Sequence, residues 1–274
     1  MLTAADIGGK RASEWHTQWT LFHDDVGFLF WDWIAPATVE TFRGRDVLEC
    51  GCGGGQHTDV MATVARSVTA VDLNTTDIAR SRNRHHANVE FVEADLAAMD
   101  LGRQYDVVIC IGVIHHTDDP DTTFANLYRH CKPGGTLIVW TYSAEGNLPV
   151  RCLVEPVRKL VLRFLPRRLV LGLSVVVTAL LYPVVYSIYR LPGLRWLPYY
   201  AYFGNFRKLS FTRNVLNVFD KLNAPQTIFT TAAKCREWFS RERFQHDSIW
   251  ITPYKGVSWS LVGTKALRAS DRAA

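Results

Sequence analysis

The sequence lacks the features that define several common classes of protein. Met1–Asp6 contains no basic stretch followed by an apolar one, so a signal peptide is not expected. Cys50-x-Cys52 has no second pair of cysteines or histidines at metal-binding spacing, which argues against a zinc site. Most of the six cysteines lie inside apolar patterns, as reduced thiols of a cytoplasmic protein do. The composition has no bias of the kind seen in disordered or fibrous chains.

Charge is divided unevenly along the 274 residues, a length that suits one core with room for an insertion. Residues 1–150 hold 11 Lys and Arg against 20 Asp and Glu, a balance of −9. Residues 151–274 hold 20 basic and 6 acidic residues, a balance of +14. A basic half suits nucleic acid or an anionic membrane surface, whereas scattered basic residues more often form only a solvated face.

Residues 47–58, VLECGCGGGQHT, are the stretch around which the chain is organised. Val47, Leu48 and Cys50 predict a short buried parallel strand, and a helix is predicted from Thr58. The glycines between them permit a sharp turn and a close approach of the backbone to a ligand. Open parallel sheets bind ligands where a strand end joins a helix N-terminus, so a ligand is expected here. A glycine-rich turn without a ligand is the alternative.

The glycine spacing distinguishes between two kinds of ligand. A dinucleotide fingerprint counted from Gly51 has Gln56 in place of its third glycine. The pattern E-x-G-x-G-x-G fits better, with Glu49 before Gly51, Gly53 and Gly55. In this the chain resembles the class I S-adenosylmethionine-dependent methyltransferases, whose first motif has this form. The resemblance implies that the loop wraps the methionine and ribose part of S-adenosylmethionine, and that Glu49 faces the ammonium group directly or through water.

Two further acids follow predicted strands. Ser67–Asp72 is a β-branched run, and Asp72 lies about 20 residues beyond the glycines, where a carboxylate can accept hydrogen bonds from both ribose hydroxyls. Val89–Leu96 alternates as a strand and includes Asp95, to which the family pattern assigns the adenine amino group. The expected cofactor-binding residues are Glu49, Gly51, Gly53, Gly55, Asp72, Leu73, Asp95, Leu96, Ile111 and Gly112.

Val107–Gly112 predicts a central strand, and residues 112–120, GVIHHTDDP, follow it directly. This loop resembles the one after the fourth strand in small-molecule members, including ubiquinone- and menaquinone-pathway enzymes. The Asp/Asn-Pro-Pro-aromatic signature of amino-directed DNA and RNA methyltransferases is missing. His115 and His116 are candidate general bases because they lie beside the expected methyl position and titrate near neutrality. For each, a structural role in the loop is the alternative.

The remaining elements complete the expected core. Asp121–Cys131 predicts a helix, the turn Lys-Pro-Gly-Gly occupies residues 132–135, and Thr136–Tyr142 predicts the fifth strand. Thr231 is placed to cap a helix that carries Cys235, Trp238 and Phe239 on one face. Strands over Phe244–Thr252 and Val257–Lys265 with a turn at 253–256 form a closing hairpin.

These elements predict an α/β fold. The resemblance covers residues 45–142 and implies a Rossmann-like, mostly parallel sheet with an antiparallel closing hairpin. The chain departs from the family pattern by a helical insertion before the last helix and hairpin. The predicted units are residues 1–146 for cap helices and cofactor-binding core, 147–208 for the insertion, 209–267 for the rest of the core and 268–274 for a tail.

Aromatic residues crowd Glu14–Ile34. In the family such N-terminal helices often cover the mouth of the cofactor site, which would bring Trp19 near the ligand. The preferred interpretation is simpler: these rings bury the helix itself.

The insertion contains Leu169–Tyr189, in which no residue is charged. Its length and apolarity meet the threshold for a membrane span. A single span would place the last strands across the membrane from the rest of the sheet, and no second span is found. Basic residues on both sides give no orientation signal, and Pro183 would kink a helix. We therefore expect a helical cap or an in-plane amphipathic anchor.

We expect the insertion to supply both an acceptor pocket and a contact with an anionic membrane surface. Residues 151–213 hold eleven Lys and Arg against Glu155 alone, together with many aromatic residues. Basic residues near anionic lipid gain about 1 kcal/mol each, and aromatic residues favour the interface. A soluble lid whose apolar face packs on the sheet is the competing interpretation.

Together these patterns predict a methyltransferase that uses S-adenosylmethionine on a small-molecule or lipid-like acceptor by in-line transfer, a reaction that mainly requires alignment and exclusion of water. Neither a metal nor a nucleic-acid partner is expected. The alternatives are an RNA-directed methyltransferase, which the basic half favours, and a cofactor-binding regulator without catalysis. The expected location is cytoplasmic and peripheral at the membrane.

Overall fold

The computed structural model describes residues 15–21 and 27–267, and these form one seven-stranded sheet with helices on both faces. The strands are β1 Asp46–Cys50, β2 Ser67–Asp72, β3 Val89–Glu93, β4 Tyr105–Ile111, β5 Cys131–Tyr142, β6 Trp250–Tyr254 and β7 Ser258–Thr264. Their spatial order is β3-β2-β1-β4-β5-β7-β6. The first five strands are mutually parallel, and β7 is antiparallel to both β5 and β6. The predicted fold class is confirmed.

Helices flank the strands in chain order. Residues 15–21 are helical and are called α1 here. The other α-helices are α2 Gly27–Ile34, α3 Gln56–Ala62, α4 Thr76–Arg82, α5 Pro120–His130, α6 Glu155–Leu160, α7 Arg167–Ser187, α8 Tyr200–Phe206, α9 Phe211–Asn223 and α10 Ala232–Trp238. Short 3-10 helices occupy Val39–Thr41, Ile114–His116, Leu162–Phe164, Ile188–Arg190, Pro192–Leu194 and His246–Ser248, and Val150–Val154 is π-helical.

Neighbouring residues of the central strands are buried on opposite faces of the sheet. Leu48 belongs to a cluster that includes Phe124 of α5. Val47, one residue earlier, belongs to a second cluster that includes Phe30 of α2. Since successive side chains of a strand point to opposite faces, both faces need an apolar cover, as is usual for parallel strands. The edge formed by the carboxyl ends of the strands is left available for a site.

Strand β5 begins earlier than predicted. It starts at Cys131, which pairs with Tyr105 of β4 before the register shifts. Residues 132–135, predicted as a separate turn, are therefore an irregularity within the strand, and regular pairing resumes at Thr136. Lys265 holds this irregular part because its Nζ donates to the carbonyl of Cys131 at 2.8 Å.

The closing hairpin is confirmed, but its turn lies later than predicted. Pro253 was placed in the turn, whereas it lies in β6 opposite Trp259. Strand β6 is at the edge of the sheet, so the absent N–H of proline costs no ladder hydrogen bond. The turn falls at Lys255 and Gly256, with φ of 49° and 73°. Positive φ at two central residues is what a tight hairpin turn requires.

The last helix has the predicted cap. Thr231 Oγ1 accepts a hydrogen bond from the backbone N–H of Lys234 at 3.2 Å. Cys235, Trp238 and Phe239 are buried together on the face of α10 that packs on the sheet.

The insertion is helical, and its longest helix, α7, lies on the outside of α9. Val170 of α7 is buried with Val215, Leu216 and Phe219 of α9. Most other side chains of α7 point away from the protein, and Leu180 is 68% exposed. The competing prediction of a lid whose apolar face packs on the sheet is therefore wrong for α7.

Arg167–Arg190, which comprises α7 and the turn after it, is the one helix in the described part of the chain that is long and apolar enough to cross a membrane. The sheet argues against a single crossing. Strand β5 precedes α7 and β7 follows it, yet the two strands are hydrogen-bonded neighbours from Thr136 to Tyr142. Both ends of the insertion therefore lie on the same side of any bilayer.

We predict that two leucine truncations differ strongly in their effect on the free energy of unfolding. Leu137→Ala removes a fully buried side chain of β5 and should lower the free energy of unfolding by about 3 kcal/mol through lost burial and a cavity. Leu180→Ala should change it by less than about 0.5 kcal/mol, since Leu180 is exposed. Urea denaturation measures both. Equal losses in the two variants would contradict the packing described for α7.

Candidate functional site

A cleft of about 680 Å³ opens at the carboxyl ends of the parallel strands. The loops after β1, β2, β3 and β4 form one end of it, and α8, α9 and the β6–β7 hairpin form the other. Helix α1 contributes Trp15, Gln18 and Trp19 to its wall. The cleft therefore joins the glycine-rich loop to the second half of the insertion.

The predicted site residues fall into two groups. Those that line the cleft are Gly51, Gly53, Asp72, Leu73, Asp95, Leu96, Ile111, Gly112 and His116. Those that do not are Glu49, Gly55 and His115. The second group lies behind the residues that line the cleft. Its members can affect a bound ligand only through those lining residues or after a small rearrangement of them.

The glycine loop is shaped by close approaches as well as by its turn. Gly51 has φ of 85°, and a Cβ atom built there would lie 2.3 Å from the side chain of Val113. Gly53 has φ of 52°, and its Cβ atom would lie 2.6 Å from the indole of Trp19. Side chains other than hydrogen are thus excluded at both positions. The N–H of Gly53 donates to Oδ2 of Asp72 at 2.9 Å, which ties the loop to the end of β2.

Trp19 lies over this loop, so the preference for a purely internal role of its ring was wrong. The residue is half-buried and lines the cleft. Arg82 holds it in place by donating from Nη2 to the carbonyl of Trp19 at 2.7 Å. Trp15, one turn earlier, places its ring centroid 4.7 Å from that of His116. Sequence alone could not fix this arrangement because it depends on how α1 packs on α4.

Glu49 is buried behind the glycine loop and is 3% exposed. Its Oε2 accepts from the hydroxyl of Thr58, whereas Oε1 is buried and has no hydrogen-bond partner within the described residues. Burial, reinforced by the charge of Asp72, raises the pKa of Glu49 to about 7. A buried carboxylate oxygen in this state is suited to a donor or a cation supplied by a ligand.

Asp72 and Asp95 occupy the ends of β2 and β3 in different ways. Asp72 is the last residue of β2 and is half-buried. One of its oxygens takes the Gly53 N–H, which leaves further acceptor sites for hydroxyl donors. Strand β3 ends at Glu93 rather than at Leu96 as predicted, so Asp95 lies in the following turn. There its Oδ1 accepts from the N–H of Ala97 at 2.9 Å.

His116 is held in one tautomer by the backbone. Its Nδ1 lies 2.8 Å from the carbonyl oxygen of Gln226. A carbonyl only accepts, so Nδ1 carries the proton and Nε2 keeps its lone pair. Burial lowers the pKa of His116, although the nearby charge of Asp220 opposes the shift. The ring is therefore neutral at neutral pH and has one basic nitrogen.

His115 has a different environment. It is fully buried, its Nδ1 lies 3.3 Å from Oγ1 of Thr141, and its ring centroid is 4.1 Å from that of Tyr142. Burial lowers the pKa of His115 well below its ordinary value. These contacts fit a neutral packing residue beneath the cleft.

The insertion end of the cleft contains polar groups that sequence analysis did not single out. The hydroxyl of Tyr142 donates to Oδ2 of Asp220 at 2.9 Å. Nζ of Lys221 lies 5.4 Å from the centroid of the Tyr142 ring and 5.5 Å from that of Tyr202. Asp220 and Lys221 lie on α9, more than seventy residues from Tyr142, and no local pattern links them.

Comparison with known proteins agrees with this geometry. Residues 48–139 match the family described as "Methyltransferase domain". The chain carries a class I S-adenosylmethionine-dependent methyltransferase domain. The domain is similar to the ubiquinone biosynthesis O-methyltransferase of Pseudomonas entomophila (strain L48), with 28% identity over 52% of this chain and 62% of that protein. It is also 29% identical to an uncharacterised Synechococcus protein over 46% of this chain and 34% of that one. The chain thus spans less than two thirds of these relatives.

Two solved structures also match parts of this chain. A DhpI complex with S-adenosylhomocysteine matches 52% of this chain and 72% of that one, at 27% identity and a TM-score of 0.43. A structure described by the conversion of a disulfide bond into a thioacetal group during echinomycin biosynthesis matches 85% of this chain and 80% of that one, at 17% identity and a TM-score of 0.48.

The cofactor of the methyltransferase domain is S-adenosylmethionine, and the site fits it. Gly51 and Gly53 line the cleft, so the glycine loop presents backbone and not side chains to a ligand there. Glu49 offers a buried oxygen that lacks a partner in the described chain, which suits the ammonium group of the methionine part. Asp72 has acceptor sites left for ribose hydroxyls, and Asp95 lies beside the same end of the cleft.

The cysteine thiols and one cluster of histidines are not among the groups that fit the cofactor. The six cysteines are all free, and burial raises the pKa of Cys50 and Cys52 well above the ordinary value, which disfavours thiolate ligands. Asp59, His85 and His86 have side chains close enough together to hold a metal ion. This cluster lies away from the cleft, and its hydrogen bonds from both imidazoles to Asp59 account for its geometry.

We predict that Asp72 contributes to cofactor affinity through its charge and through its hydrogen bond with the Gly53 N–H of the glycine loop. Asp72→Ala should weaken S-adenosylmethionine binding about 30-fold, or about 2 kcal/mol, by removing charge-assisted hydrogen bonds. Asp72→Asn keeps an acceptor for the Gly53 N–H and should lose less. Titration calorimetry measures both, and unchanged affinity in Asp72→Ala would refute the assignment.

Glu49 gives a prediction about pH. Its folded pKa, about 7, exceeds the ordinary 4.5, so the folded state binds the proton more tightly and loses stability as pH rises between these values. Glu49→Gln should remove this loss. Without cofactor, the variant should be more stable than the parent by roughly 3 kcal/mol at pH 8 and by less than about 1 kcal/mol at pH 5.

The measurement is thermal or urea unfolding of both proteins at the two pH values. Addition of S-adenosylmethionine at pH 8 should stabilise the parent more than Glu49→Gln, because only the parent has a carboxylate to meet the ammonium group. A stability difference that does not depend on pH would contradict the assignment.

Proposed function

We propose that this protein transfers a methyl group from S-adenosylmethionine to a small-molecule or lipid-like acceptor bound at the insertion end of the cleft. The observation that carries the proposal is His116, which lines the cleft with Nδ1 bound to the Gln226 carbonyl and Nε2 basic. The cofactor supplies an activated methyl group when bound. The chain's own residues then have to hold the acceptor in line, remove its proton where one must leave, and exclude water.

His116 is the general base in this proposal. A neutral imidazole whose Nδ1 proton is fixed by a carbonyl can accept an acceptor's proton at Nε2. Asp220 favours the protonated ring that results, because its carboxylate raises the pKa of His116 while burial lowers it. Trp15 packs its indole against the same ring, with the two ring centroids 4.7 Å apart.

The acceptor end favours a flat, largely apolar molecule with at least one polar group. Aromatic rings from three parts of the chain surround it, with Trp140, Tyr142, Tyr202 and Tyr254 among them. The Tyr142–Asp220 pair and Lys221 provide hydrogen bonds and charge at one place in this wall. The relative from Pseudomonas entomophila is named for O-methylation in ubiquinone biosynthesis, and an oxygen acceptor is consistent with a histidine base.

The protein is proposed to work in the cytoplasm, peripherally at an anionic membrane surface that its insertion contacts. The buried free cysteines support a reducing compartment. An acceptor that is lipid-like would then reach the cleft from the membrane. The surface contact does not depend on the reaction.

The acceptor class can be identified by mass spectrometry. Metabolites and lipids from cells with the gene should contain a species one CH₂ unit heavier than its counterpart in cells without it. Extracts incubated with purified protein and methyl-labelled S-adenosylmethionine should label the same species. Label that enters RNA, or binding of the cofactor with no label transferred to any fraction, would overturn the proposal.

We predict that His116 and His115 differ in their effect on turnover. His116→Ala should lower turnover by roughly 100-fold without changing cofactor affinity, since it removes the base. His115→Gln is the control, and turnover of its folded fraction should be nearly unchanged. In the parent protein the rate should fall with acid at a pH below 6.5, because burial lowers the pKa of His116. Equal turnover in both variants would leave alignment as the whole mechanism.

A further inference from the structure

Helix α7 exposes large apolar side chains where a surface helix of a soluble protein carries polar ones. Of the four residues it buries, Val170 and Val185 are apolar, and Ser174 and Thr178 are polar. Its exposed positions carry large aliphatic side chains, which are Leu169, Leu173, Val175, Val176, Leu180 and Val184. No charged residue occurs between Arg168 and Arg190. In water this face is a continuous apolar surface that a soluble helix normally keeps polar.

The buried hydroxyls need no partner beyond the helix. Oγ of Ser174 donates to the carbonyl of Val170 at 2.8 Å, and Oγ1 of Thr178 donates to the carbonyl of Ser174 at 2.6 Å. These bonds satisfy the polar groups locally, so small residues let α7 lie close against α9. The two buried hydroxyls on the face toward α9 are thus hydrogen-bonded. The outward face is the one that requires a partner, because its apolar side chains are exposed.

The partner must lie alongside the helix. Val170 packs with α9 at one end of α7, and Nδ2 of Asn214 donates to the hydroxyl of Tyr182 farther along. The pairing of β5 with β7 keeps both ends of the insertion on one side of a bilayer. A helix fixed along the domain surface in this way lies in the plane of an interface and does not cross it.

The charges near this face select the kind of interface. No acidic residue occurs between Glu155 and Asp220. Arg163 and Arg168 are exposed just before or at the start of α7, and Arg190 and Arg195 are exposed after it. Trp196 follows and is 75% exposed. Basic and aromatic residues around an apolar helix are the combination that binds headgroups and the interfacial layer.

We propose that α7 is an in-plane anchor that docks the protein on an anionic lipid bilayer. The aliphatic face enters the boundary between headgroups and acyl chains, and the four arginines contact anionic headgroups. A second copy of the chain fits this surface less well. Two such faces would bring their arginines together, and the segment from 156 to 219 has no acidic residue to pair with them.

The test uses the full-length protein and vesicle flotation. Vesicles of phosphatidylcholine with phosphatidylglycerol should carry the protein upward at low salt, and pure phosphatidylcholine vesicles should not. High salt should weaken the association, since it screens the arginines. Binding to both kinds of vesicle alike, or to neither at low salt, would overturn the proposal without any variant. Neither result bears on methyl transfer, so the two proposals fail separately.

Two variants locate the contact. Arg163→Glu with Arg168→Glu should weaken binding to anionic vesicles at least about 25-fold, because each arginine near the surface is worth roughly five-fold. Arg236→Glu with Arg241→Glu makes the same change in net charge at exposed residues outside the insertion and should retain most of the binding. Equal losses in the two double variants would show that net charge, and not this face, attracts the vesicles, which overturns the docking site.

Leu173→Ser with Leu180→Ser tests the apolar face. Both residues are exposed, so thermal unfolding should be unchanged while flotation is lost. Retained flotation would contradict insertion of this face. Light scattering of the parent protein provides the last check: a dimer that these two substitutions dissociate would assign the face to a second copy and overturn the lipid proposal.

Discussion

The position of β7 between β5 and β6 determines where the rest of the chain can go. β7 runs antiparallel beside β5, with Tyr142 opposite Ser258 at one end and Thr136 opposite Thr264 at the other. The chain therefore leaves β5 and re-enters β7 at the same edge of the sheet. That edge is also where the carboxyl ends of β1, β2 and β4 lie, so everything inserted between β5 and β7 is built beside the cofactor loops. An insertion at the amino ends of the parallel strands would not have this access.

Charge is distributed along the cleft in accordance with this topology. The acidic N-terminal half supplies Asp72 and Asp95 to the cofactor end, with Glu49 buried behind it. The basic half supplies Lys221 and Arg213 to the other end. Glu49 is the costly member, because burial raises its pKa to about 7 and part of the folding free energy opposes its ionised form. A cationic ligand group offsets this cost. Shifted pKa values of this kind are common among residues that bind a ligand.

Sequence reasoning succeeded where the determining interactions are local. The glycine loop, the strand that ends at Asp72 and the cap at Thr231 depend on backbone conformation and on periodicity, which a short segment carries in itself. The turn of the closing hairpin was misplaced because Pro253 is tolerated only by virtue of β6 being an edge strand, and strand order is a property of the whole sheet.

Features that depend on tertiary packing could not be obtained from the sequence. Trp19 covers Gly53 because Arg82 holds the carbonyl of Trp19 from another helix. Composition showed that α7 is apolar but not which side it presents, and Ser174 and Thr178 mark the inward side only once the helix is placed on α9.

Helix α9 connects the outer face of the insertion to the cleft. Val215 and Phe219, four residues apart, pack with α7, whereas Arg213 and Asp220, seven residues apart, line the cleft. These are two adjacent faces of one helix of thirteen residues. Helix α9 is thus held by α7 on one face and borders the acceptor end with the adjacent face. The residues that would contact the acceptor are therefore carried by the same helix that supports the exposed apolar face.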